Sequence, residues 1–435
     1  MSREKSIKEW GDELLEKEIV KTENEPRDPL IFYEGYYSRK HSDRILNQII
    51  NEMLDDETNS YKRKEILKYV ALKTLPPNGH TWANPNSEYI CLENGHFNLN
   101  TMQLEEASSD NFLTFKLPIN YDPKAAKENL PKWESFIQNL INSDSDVMKL
   151  KEHFGNIFAN HYETKKLLLL HGPQDSGKST FLKIIQTVIG KDNYSSLSLH
   201  QLGEKFTNAE LHRKIANFCA EISYGKVIEH YAEIKTLTGG DTINAQRKYK
   251  DPFDFVNRAK LFFAANGIPL INFEFADNAF FRRWDFIQFP NQFQPDNTIF
   301  NKYTTLEMKS AIFLWMVKGY SRLKENNWRF TGELTLDEIK QIFANAGEQS
   351  IEDQWLTSNY EKGDYSYPKR LLYADYKEYC VEHEKSPMDY VQFCKYILNQ
   401  NHIKVTKHSP LVEDKQVPSF KGLRVKKRPI KIVES

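Results

Sequence analysis

Long hydrophobic runs are absent from this sequence of 435 residues, of which 40% are hydrophobic. A membrane-spanning helix needs roughly 18 consecutive apolar residues, so neither a membrane span nor a membrane partner is expected. The first twenty residues are rich in charge and lack the pattern of a signal peptide. We therefore expect an intracellular, cytoplasmic protein.

Cysteine is scarce, and its four copies are scattered as Cys91, Cys219, Cys380 and Cys394. None of them forms the closely spaced pairs that are typical of metal ligands. Reduced and mostly buried thiols are therefore the favoured interpretation.

An excess of one charge sign is also missing, because 59 Lys and Arg residues face 60 Asp and Glu residues, for a net charge of −1. If the chain binds nucleic acid, its basic surface must therefore be local. Residues 401–435 fit this requirement, with nine lysines and arginines against three acids. Such a run is either a solvated face or a phosphate-binding surface.

Internal repeats are missing too, and the pattern changes along the chain instead. Residues 30–71 have a helical pattern, whereas residues 88–121 predict short strands with a turn at Asn94-Gly95. Helical spacing returns between Pro131 and Ala159. The length allows two or three domains, each with its own core.

Residues 172–180 (GPQDSGKST) form the most specific motif. They match the phosphate-binding pattern GxxxxGK[ST], between an apolar strand over residues 165–170 and an amphipathic helix. Glycines let backbone N–H groups converge on phosphate oxygens, and the helix start adds partial positive charge. ATP and Mg²⁺ are the expected ligands, with Lys178 on the β and γ phosphates and Ser179 on the metal. The nucleotide-binding set is Gly172, Pro173, Gln174, Asp175, Ser176, Gly177, Lys178, Ser179 and Thr180.

A second apolar run, residues 214–220, stands directly before Glu221. In P-loop ATPases an acid in this position orders Mg²⁺ and polarises the attacking water. The common pattern has two consecutive acids, whereas Ala220 precedes Glu221 here. Either Glu221 serves alone, or Ser179 holds most of the metal, or Glu221 is a surface residue that happens to follow a strand.

From these motifs onward the chain resembles a superfamily 3 helicase, a hexameric AAA+ motor of viruses, phages and plasmids, in its primase–helicase branch. The resemblance covers residues 88–290 well and residues 365–427 more weakly. It rests on ordered segments at residues 93–100, 117–123, 133–136, 172–180, 216–221, 235–241, 247–250, 261–266 with Pro269, and 280–284.

The resemblance implies an α/β fold with an AAA+ P-loop ATPase core, a mixed α+β N-terminal region and a C-terminal winged-helix-like domain. The expected N-terminal parts are a helical region at residues 1–87, which serves as a collar or docking segment, and a pre-motor domain at residues 88–160. The superfamily 3 ATPase domain is expected at residues 161–325 and the basic winged-helix-like domain at residues 350–435. The first 90 residues or so show no primase motif, so a separate primase is a candidate partner.

The resemblance also assigns catalytic roles downstream of the phosphate loop. Asn266 would end a strand beside the Glu221 strand and read the γ-phosphate, although Asn266-Gly267 is also an ordinary turn signal. Arg283, or Arg282 beside it, would be an arginine finger that acts on the ATP of the neighbouring subunit. The alternative is a pair of surface arginines at a helix start. The implied catalytic set is Lys178, Glu221, Asn266, Arg283 and Arg282, and the implied metal ligands are Ser179 and Glu221.

Residues 244–260 predict a hairpin that turns at Asp251-Pro252. Before the turn stand Arg247, Lys248, Tyr249 and Lys250, and cations beside an aromatic ring suit a single DNA strand in a channel. The resemblance places this hairpin in the ring's pore, with Lys235 and Asp241 coupling it to the nucleotide site. The alternative is a solvated hairpin edge on which lysines discourage strand pairing.

The final unit predicts helices over residues 371–382 and 390–399, then a two-stranded wing at residues 403–407 and 422–426. By resemblance, the helix with Tyr396 would enter a DNA groove, while Lys395 and residues 404–407 bind phosphates. A domain that packs subunits together is the alternative.

The implied function is an ATP-dependent replicative DNA helicase of a virus, plasmid or other mobile element, located in the host cell if viral. It would move 3′ to 5′ on single-stranded DNA as a ring and open forked DNA. The alternative is an ATP-controlled DNA-binding initiator or loading scaffold that does not unwind processively. A third interpretation, a packaging or other P-loop ATPase, does not account for the features of residues 235–250 and Arg283.

Overall fold

The protein is described from a computed structural model. The structure describes residues 5–22, 29–54, 60–75, 88–204, 206–220, 227–248, 251–347, 351–383, 385–398, 406–409, 411–412 and 415–426. It divides into two compact units, of which the first contains residues 1–221, 230–264 and 276–336 and the second contains residues 222–229, 265–275 and 337–435.

The first unit begins with helices around a small antiparallel sheet. Its elements are α1 (Ile7–Lys17), β1 (Val20–Thr22), β2 (Pro29–Tyr33), β3 (Tyr36–Tyr37), α2 (Arg39–Leu54) and α3 (Ser60–Lys73). The predicted helical pattern over residues 30–71 is therefore wrong for residues 30–37. Leu30 and Ile31 of β2 are both buried, and a short run of consecutive apolar residues does not distinguish a buried strand from a helix.

A second antiparallel sheet follows, made of β4 (Tyr89–Leu92), β5 (Gly95–Asn98) and β6 (Gln103–Glu105). The turn predicted at residues 94–95 is confirmed, because β4 and β5 pair directly on either side of it. The Nε2 atom of His96 lies 2.7 Å from the backbone oxygen of Gly35. Contacts therefore join residues on the two sides of the domain boundary expected at residues 87–88.

Two helices precede the central sheet, α4 (Pro123–Leu140) and α5 (Asp144–Gly155). The single helical stretch expected from Pro131 to Ala159 misses the start of α4 and the break between the helices. Asp122 caps α4, with proline in the first turn, and Ser143 caps α5. Both features are common helix starts, so each helix begins where its cap lies.

The central sheet of the first unit has five strands. In chain order the elements are β7 (Leu167–His171), α6 (Lys178–Ile189), β8 (Tyr194–Ser195), β9 (Ala216–Cys219), α7 (Tyr231–Gly239), β10 (Thr242–Ala245), β11 (Phe253–Val256), β12 (Lys260–Ala265), α8 (Asn278–Phe281), β13 (Trp284–Gln288), α9 (Thr298–Tyr303) and α10 (Leu306–Glu325). The strand order is β13-β7-β12-β9-β8. The pairings β13–β7, β12–β9 and β8–β9 are parallel. The protein is thus a mixed α/β structure with a parallel sheet, as the α/β class predicted.

Aromatic side chains fix the helix that follows β7 in the core. The ring of Phe181 in α6 lies 5.0 Å from that of Phe154 and 6.0 Å from that of Trp133. All three side chains are fully buried. Buried rings of this kind contribute large apolar areas, so α6 is held firmly against α4 and α5.

The second unit has its own core and sheet. Its elements are α11 (Leu336–Gly347), α12 (Ile351–Asn359), β14 (Tyr360–Pro368), α13 (Lys369–Glu382), α14 (Tyr390–Leu398), β15 (Thr406–His408), β16 (Leu411–Val412), β17 (Lys415–Gln416) and β18 (Ser419–Val425). The two predicted helices are present. The predicted two-stranded wing is wrong in one respect, because β14 joins β18 and β15 in a three-stranded sheet of order β14-β18-β15. Within the described ranges, every helix is too short or too polar to span a bilayer.

Two glycines allow α5 and α10 to touch through their backbones. A Cβ atom at Gly155 would lie 2.2 Å from the nitrogen of Tyr320, and one at Gly319 would lie 2.0 Å from the oxygen of Lys151. Neither contact is possible for a larger residue without moving a helix. This crossing supports α5, which in turn packs against α6.

We expect Gly319→Ala to destabilise the protein by about 1–3 kcal/mol, because the added methyl group forces α10 away from α5. Lys318→Ala changes the exposed neighbouring residue of α10 and is the matched control. Thermal unfolding followed by circular dichroism measures both, and equal melting temperatures would contradict the tight crossing of the two helices.

Candidate nucleotide-binding site

The phosphate loop, residues 172–180, leaves β7 and enters α6 as expected. A Cβ atom at Gly172 would lie 2.1 Å from the backbone oxygen of Phe289, so only glycine fits there. Gly177 has a φ of +85° and is the N-cap of α6. A glycine cap has no side chain to occupy the first amides of the helix, and these amides are the usual anion-binding groups of such a turn.

Lys178 lies at the centre of this loop. Its Nζ donates to the backbone oxygens of Gly172 and Pro173 and to the Oγ of Ser176, all at 2.8 Å. Burial lowers the pKa of the Lys178 ammonium to about 8, although the nearby Asp175 carboxylate acts in the opposite direction. A cation held by neutral oxygens gains a better partner when a phosphate enters the loop.

The other loop residues differ in exposure. Gln174 and Asp175 are exposed, and Ser176 is buried. Ser179 and Thr180 are half-buried in the first turn of α6. Ser179 thus follows Lys178 in the first turn of α6, the position that the motif assigns to a metal-bound serine.

A segment after β13, residues 289–293, packs over the phosphate loop, and we call it the strap. The amide of Phe293 donates to the oxygen of Asp175 at 2.9 Å. The Nε2 of Gln292 donates to the oxygen of Gln174 at 3.2 Å. Sequence reasoning missed the strap, because no local pattern links it to a loop more than a hundred residues earlier.

The strands that lead to Glu221 and Asn266 are neighbours, which confirms the predicted arrangement. Residues 260–263 of β12 pair in register with residues 216–219 of β9. Glu221 itself lies outside the described residues, and Asn266 is exposed directly after β12. Because β9 and β12 are parallel, both strands end at the same edge of the sheet.

Arg282 and Arg283 follow α8 and do not begin it. Arg282 is exposed, whereas Arg283 is half-buried. The backbone oxygen of Arg283 accepts from the amide of Leu167 at 2.7 Å, at the start of β7. Five residues of extended strand separate Leu167 from Gly172, which is about 16 Å. The two arginines therefore lie at the opposite edge of the sheet from the phosphate loop.

A hairpin is present as predicted, with β10 antiparallel to β11. Its strands are shorter than the predicted range of residues 244–260, and Asp251-Pro252 lies directly before β11 instead of midway between the strands. Arg247 is half-buried, its Nη2 lies 3.2 Å from the Nδ1 of His212 and its guanidinium lies 4.9 Å from the ring of Phe253. Lys248 is exposed at the start of the connecting loop, while Tyr249 and Lys250 lie outside the described residues. Lys248 is therefore the described member of this set that is best placed for solvent or DNA.

Lys235 and Asp241 are predicted to couple the hairpin to the nucleotide site. Lys235 lies within α7, and Asp241 follows the end of this helix. The Nζ of Lys235 lies 2.6 Å from the Oδ2 of Asp277, just before α8. Asp241 is exposed directly before β10. The structure therefore connects Lys235 to the segment that leads to Arg283.

In the second unit, Lys395 and Lys407 are exposed as a DNA-binding surface requires, and Lys404 lies outside the described residues. The hydroxyl of Tyr396 instead donates to Asp353 of α12. Tyr396 thus faces α12 of its own unit, and its neighbours on α14 are better placed for an outside partner.

The cysteines are free, with Cys91, Cys219 and Cys380 buried and Cys394 half-buried, as predicted. Among the described residues, no group of three or more His, Cys, Asp or Glu side chains forms a metal cluster. A P-loop magnesium needs no such cluster, because phosphate and water supply most of its ligands.

Two families match parts of the chain. Residues 23–142 match the family described as D5 N terminal like, and residues 170–283 match a family of unknown function, DUF5906. The first match begins before residue 88 and runs through α4, in keeping with the contacts that cross that boundary.

Curated viral proteins are distantly similar to the chain. It is 21% identical over 241 residues to "Putative helicase 121R" of Invertebrate iridescent virus 3, covering 52% of this chain and 25% of that protein. It is 22% identical over 290 residues to "Putative helicase L207/L206" of Acanthamoeba polyphaga mimivirus, covering 64% of this chain and 30% of that protein. The chain thus spans less than a third of the length of these two relatives.

Among solved structures, the chain is similar to one titled "The apo structure of NrS-1 C terminal region (305-718)". The identity is 15% and the TM-score is 0.47, with 97% of this chain and 100% of that one covered. The sequence relatives show that the chain is similar to viral proteins named as helicases.

Proposed function

We propose that this protein is an ATPase that binds the phosphates of ATP in the loop of residues 172–180. The observation that carries the proposal is the position of Lys178 at the centre of a loop that ends in the glycine-capped start of α6. Lys178 would exchange its loop oxygens for the β and γ phosphates, and the first amides of α6 would bind the same oxygens. Mg²⁺, held by Ser179 and Glu221, would neutralise phosphate charge.

The site is completed between subunits of a ring, with the hexamer as the expected assembly. Arg283 and Arg282 lie about 16 Å along β7 from the loop of their own chain, farther than an arginine side chain reaches. Their proposed partner is therefore the ATP of a neighbouring subunit, where the positive charge would stabilise the transferred phosphoryl group. Asn266, after β12, would contact the γ-phosphate within its own subunit.

ATP hydrolysis would drive the β10–β11 hairpin along DNA. Support comes from exposed Lys248 in its connecting loop, from the adjacent Tyr249 and Lys250 in the sequence, and from the similarity to viral proteins named as helicases. The order of α12, β14, α13, α14, β15 and β18, with an antiparallel three-stranded sheet, supports a winged-helix assignment for the second unit. We propose a replicative DNA helicase of a virus or mobile element that moves 3′ to 5′.

An initiator or loading scaffold is the second candidate, because Glu221 has no acid directly before it. In that case ATP would control assembly on DNA, and the second unit would supply most of the DNA affinity. The two candidates differ in whether strands separate, so unwinding discriminates between them.

We expect Lys178→Ala to lose both ATP hydrolysis and unwinding of a forked DNA, because the phosphates lose their cation. The double variant Lys248→Ala/Lys250→Ala should keep basal ATPase activity and lose unwinding and DNA stimulation. Lys132→Ala, an exposed lysine of α4, is the matched control. ATPase rates and strand displacement are measured side by side. Vigorous ATPase activity without unwinding of any fork would contradict the helicase proposal and favour the scaffold.

The affinity for ATP should fall above pH 8. The Lys178 pKa of about 8 in the free protein means that the lysine is charged below this pH and neutral above it. A bound phosphate raises that pKa, so binding at higher pH takes up a proton and weakens by up to about tenfold per pH unit. Titration with a fluorescent ATP analogue between pH 7 and pH 10 measures this.

Lys178→Arg is the control for that titration, because a guanidinium stays charged throughout the range. If this variant binds the ATP analogue, its affinity should change little between pH 7 and pH 10. If the affinity of the wild-type protein does not fall up to pH 10, Lys178 stays charged in the loop. That result would contradict the lowered pKa of the Lys178 ammonium.

A further inference from the structure

An ion pair joins the helix that leads to the hairpin and the helix that leads to the two arginines. The Nζ of Lys235 in α7 lies 2.6 Å from the Oδ2 of Asp277. The Oδ1 of Asp277 accepts from the amide of Phe280 at 2.7 Å and so caps α8. The Asp277 carboxylate therefore binds Lys235 of α7 and caps α8 at the same time.

Because α8 has only four residues, its cap directly determines where the next residues lie. Arg282 is the C-cap of α8, and the amide of Arg283 donates to the oxygen of Phe280 at 3.0 Å. The ring of Phe280 packs 4.8 Å from that of Tyr231 at the start of α7. A shift of α7 would therefore move α8 and the arginines with it.

The other end of α7 connects to both strands of the hairpin. The chain passes through Gly239 and Gly240 to Asp241 and β10. After β11, the side-chain amide of Asn257 donates to the oxygen of Leu237 in α7 at 2.8 Å. A displacement of the hairpin would thus be transmitted to α7 along two routes.

The turn after α7 also places an acid near Arg283. A Cβ atom at Gly239 would lie 2.7 Å from the Oδ2 of Asp241 and 3.9 Å from an Nη of Arg283. The Asp241 carboxylate and the Arg283 guanidinium therefore both border Gly239. Asp241 and Asp277 favour the charged form of this arginine, opposing the effect of its burial on the pKa.

We propose that Lys235 and Asp277 are positioning residues that transmit movement of the DNA-contacting hairpin to Arg283, and so to the ATP of the neighbouring subunit. The inference rests on the proposed function and adds to it the physical connection between DNA and hydrolysis. Neither residue would touch ATP or DNA. The pair's side chains are 31% and 54% exposed, and exposed ion pairs contribute little to folding, so its loss should leave the protein folded.

The test uses variants that remove the charge pair and keep the local structure. Asp277→Asn retains a good N-cap for α8, and Lys235→Gln removes the cation. The double variant completes a cycle, and Lys235→Arg should restore function because it keeps the charge. Glu134→Gln is the control, because it breaks an ion pair elsewhere in the unit, 3.1 Å long, between a 44% exposed glutamate and the 13% exposed Lys151.

ATPase rates of the full chain are measured with and without single-stranded DNA, together with the KM for ATP and the melting temperature. We expect Asp277→Asn and Lys235→Gln each to reduce the DNA stimulation ratio by about threefold or more. The double variant should be no worse than either single one, with the KM and melting temperature unchanged. Lys235→Arg and Glu134→Gln should keep the wild-type ratio.

Two results would overturn the inference alone. One is a wild-type stimulation ratio in both single variants. The other is an equal loss of basal and stimulated rates with a lower melting temperature, which is the signature of a structural role. If the wild-type protein itself hydrolyses ATP without any response to DNA, the proposed function fails and the inference fails with it.

Discussion

The parallel pairing of β13 with β7 is the constraint on which the rest of the site depends. The pairing is in register from Trp284 beside Leu167 to Gln288 beside His171. It puts the phosphate loop at the carboxyl edge of the sheet and Arg283 at the amino edge, one strand length away. A loop and an arginine that are fixed in this way cannot serve the same ATP within one chain, so the proposed site requires a second subunit.

Strand β13 links two parts of the proposed site, the arginine and the phosphate loop. Its amino end follows α8 and Arg283, and its carboxyl end continues into the strap, which donates hydrogen bonds to the backbone of residues 174 and 175. The phosphate loop and the arginine of one chain are thus connected through the five residues of β13, of which the first four are buried. Interiors are densely packed and transmit small shifts, and this gives a physical basis for communication around the proposed ring.

Local chemistry explains what could be predicted from the sequence. The phosphate loop depends on the spacing of Gly172, Gly177 and Lys178, and the hairpin depends on a turn between two short strands, so both are encoded within a few residues. The strap and the Lys235–Asp277 pair join residues separated by 118 and 42 positions, and no local pattern encodes such contacts. Strand β2 was missed because two adjacent buried residues fit a helix equally well.

Mixing two inactive variants tests the central claim that the site is shared between subunits. Lys178→Ala lacks the phosphate cation and Arg283→Ala lacks the arginine, and each alone should be inactive as an ATPase. In a one-to-one mixture, about a quarter of the interfaces in a ring combine an intact loop with an intact arginine, so activity should return. A mixture as inactive as its components, under conditions where the two variants are shown to assemble together, would contradict the shared site.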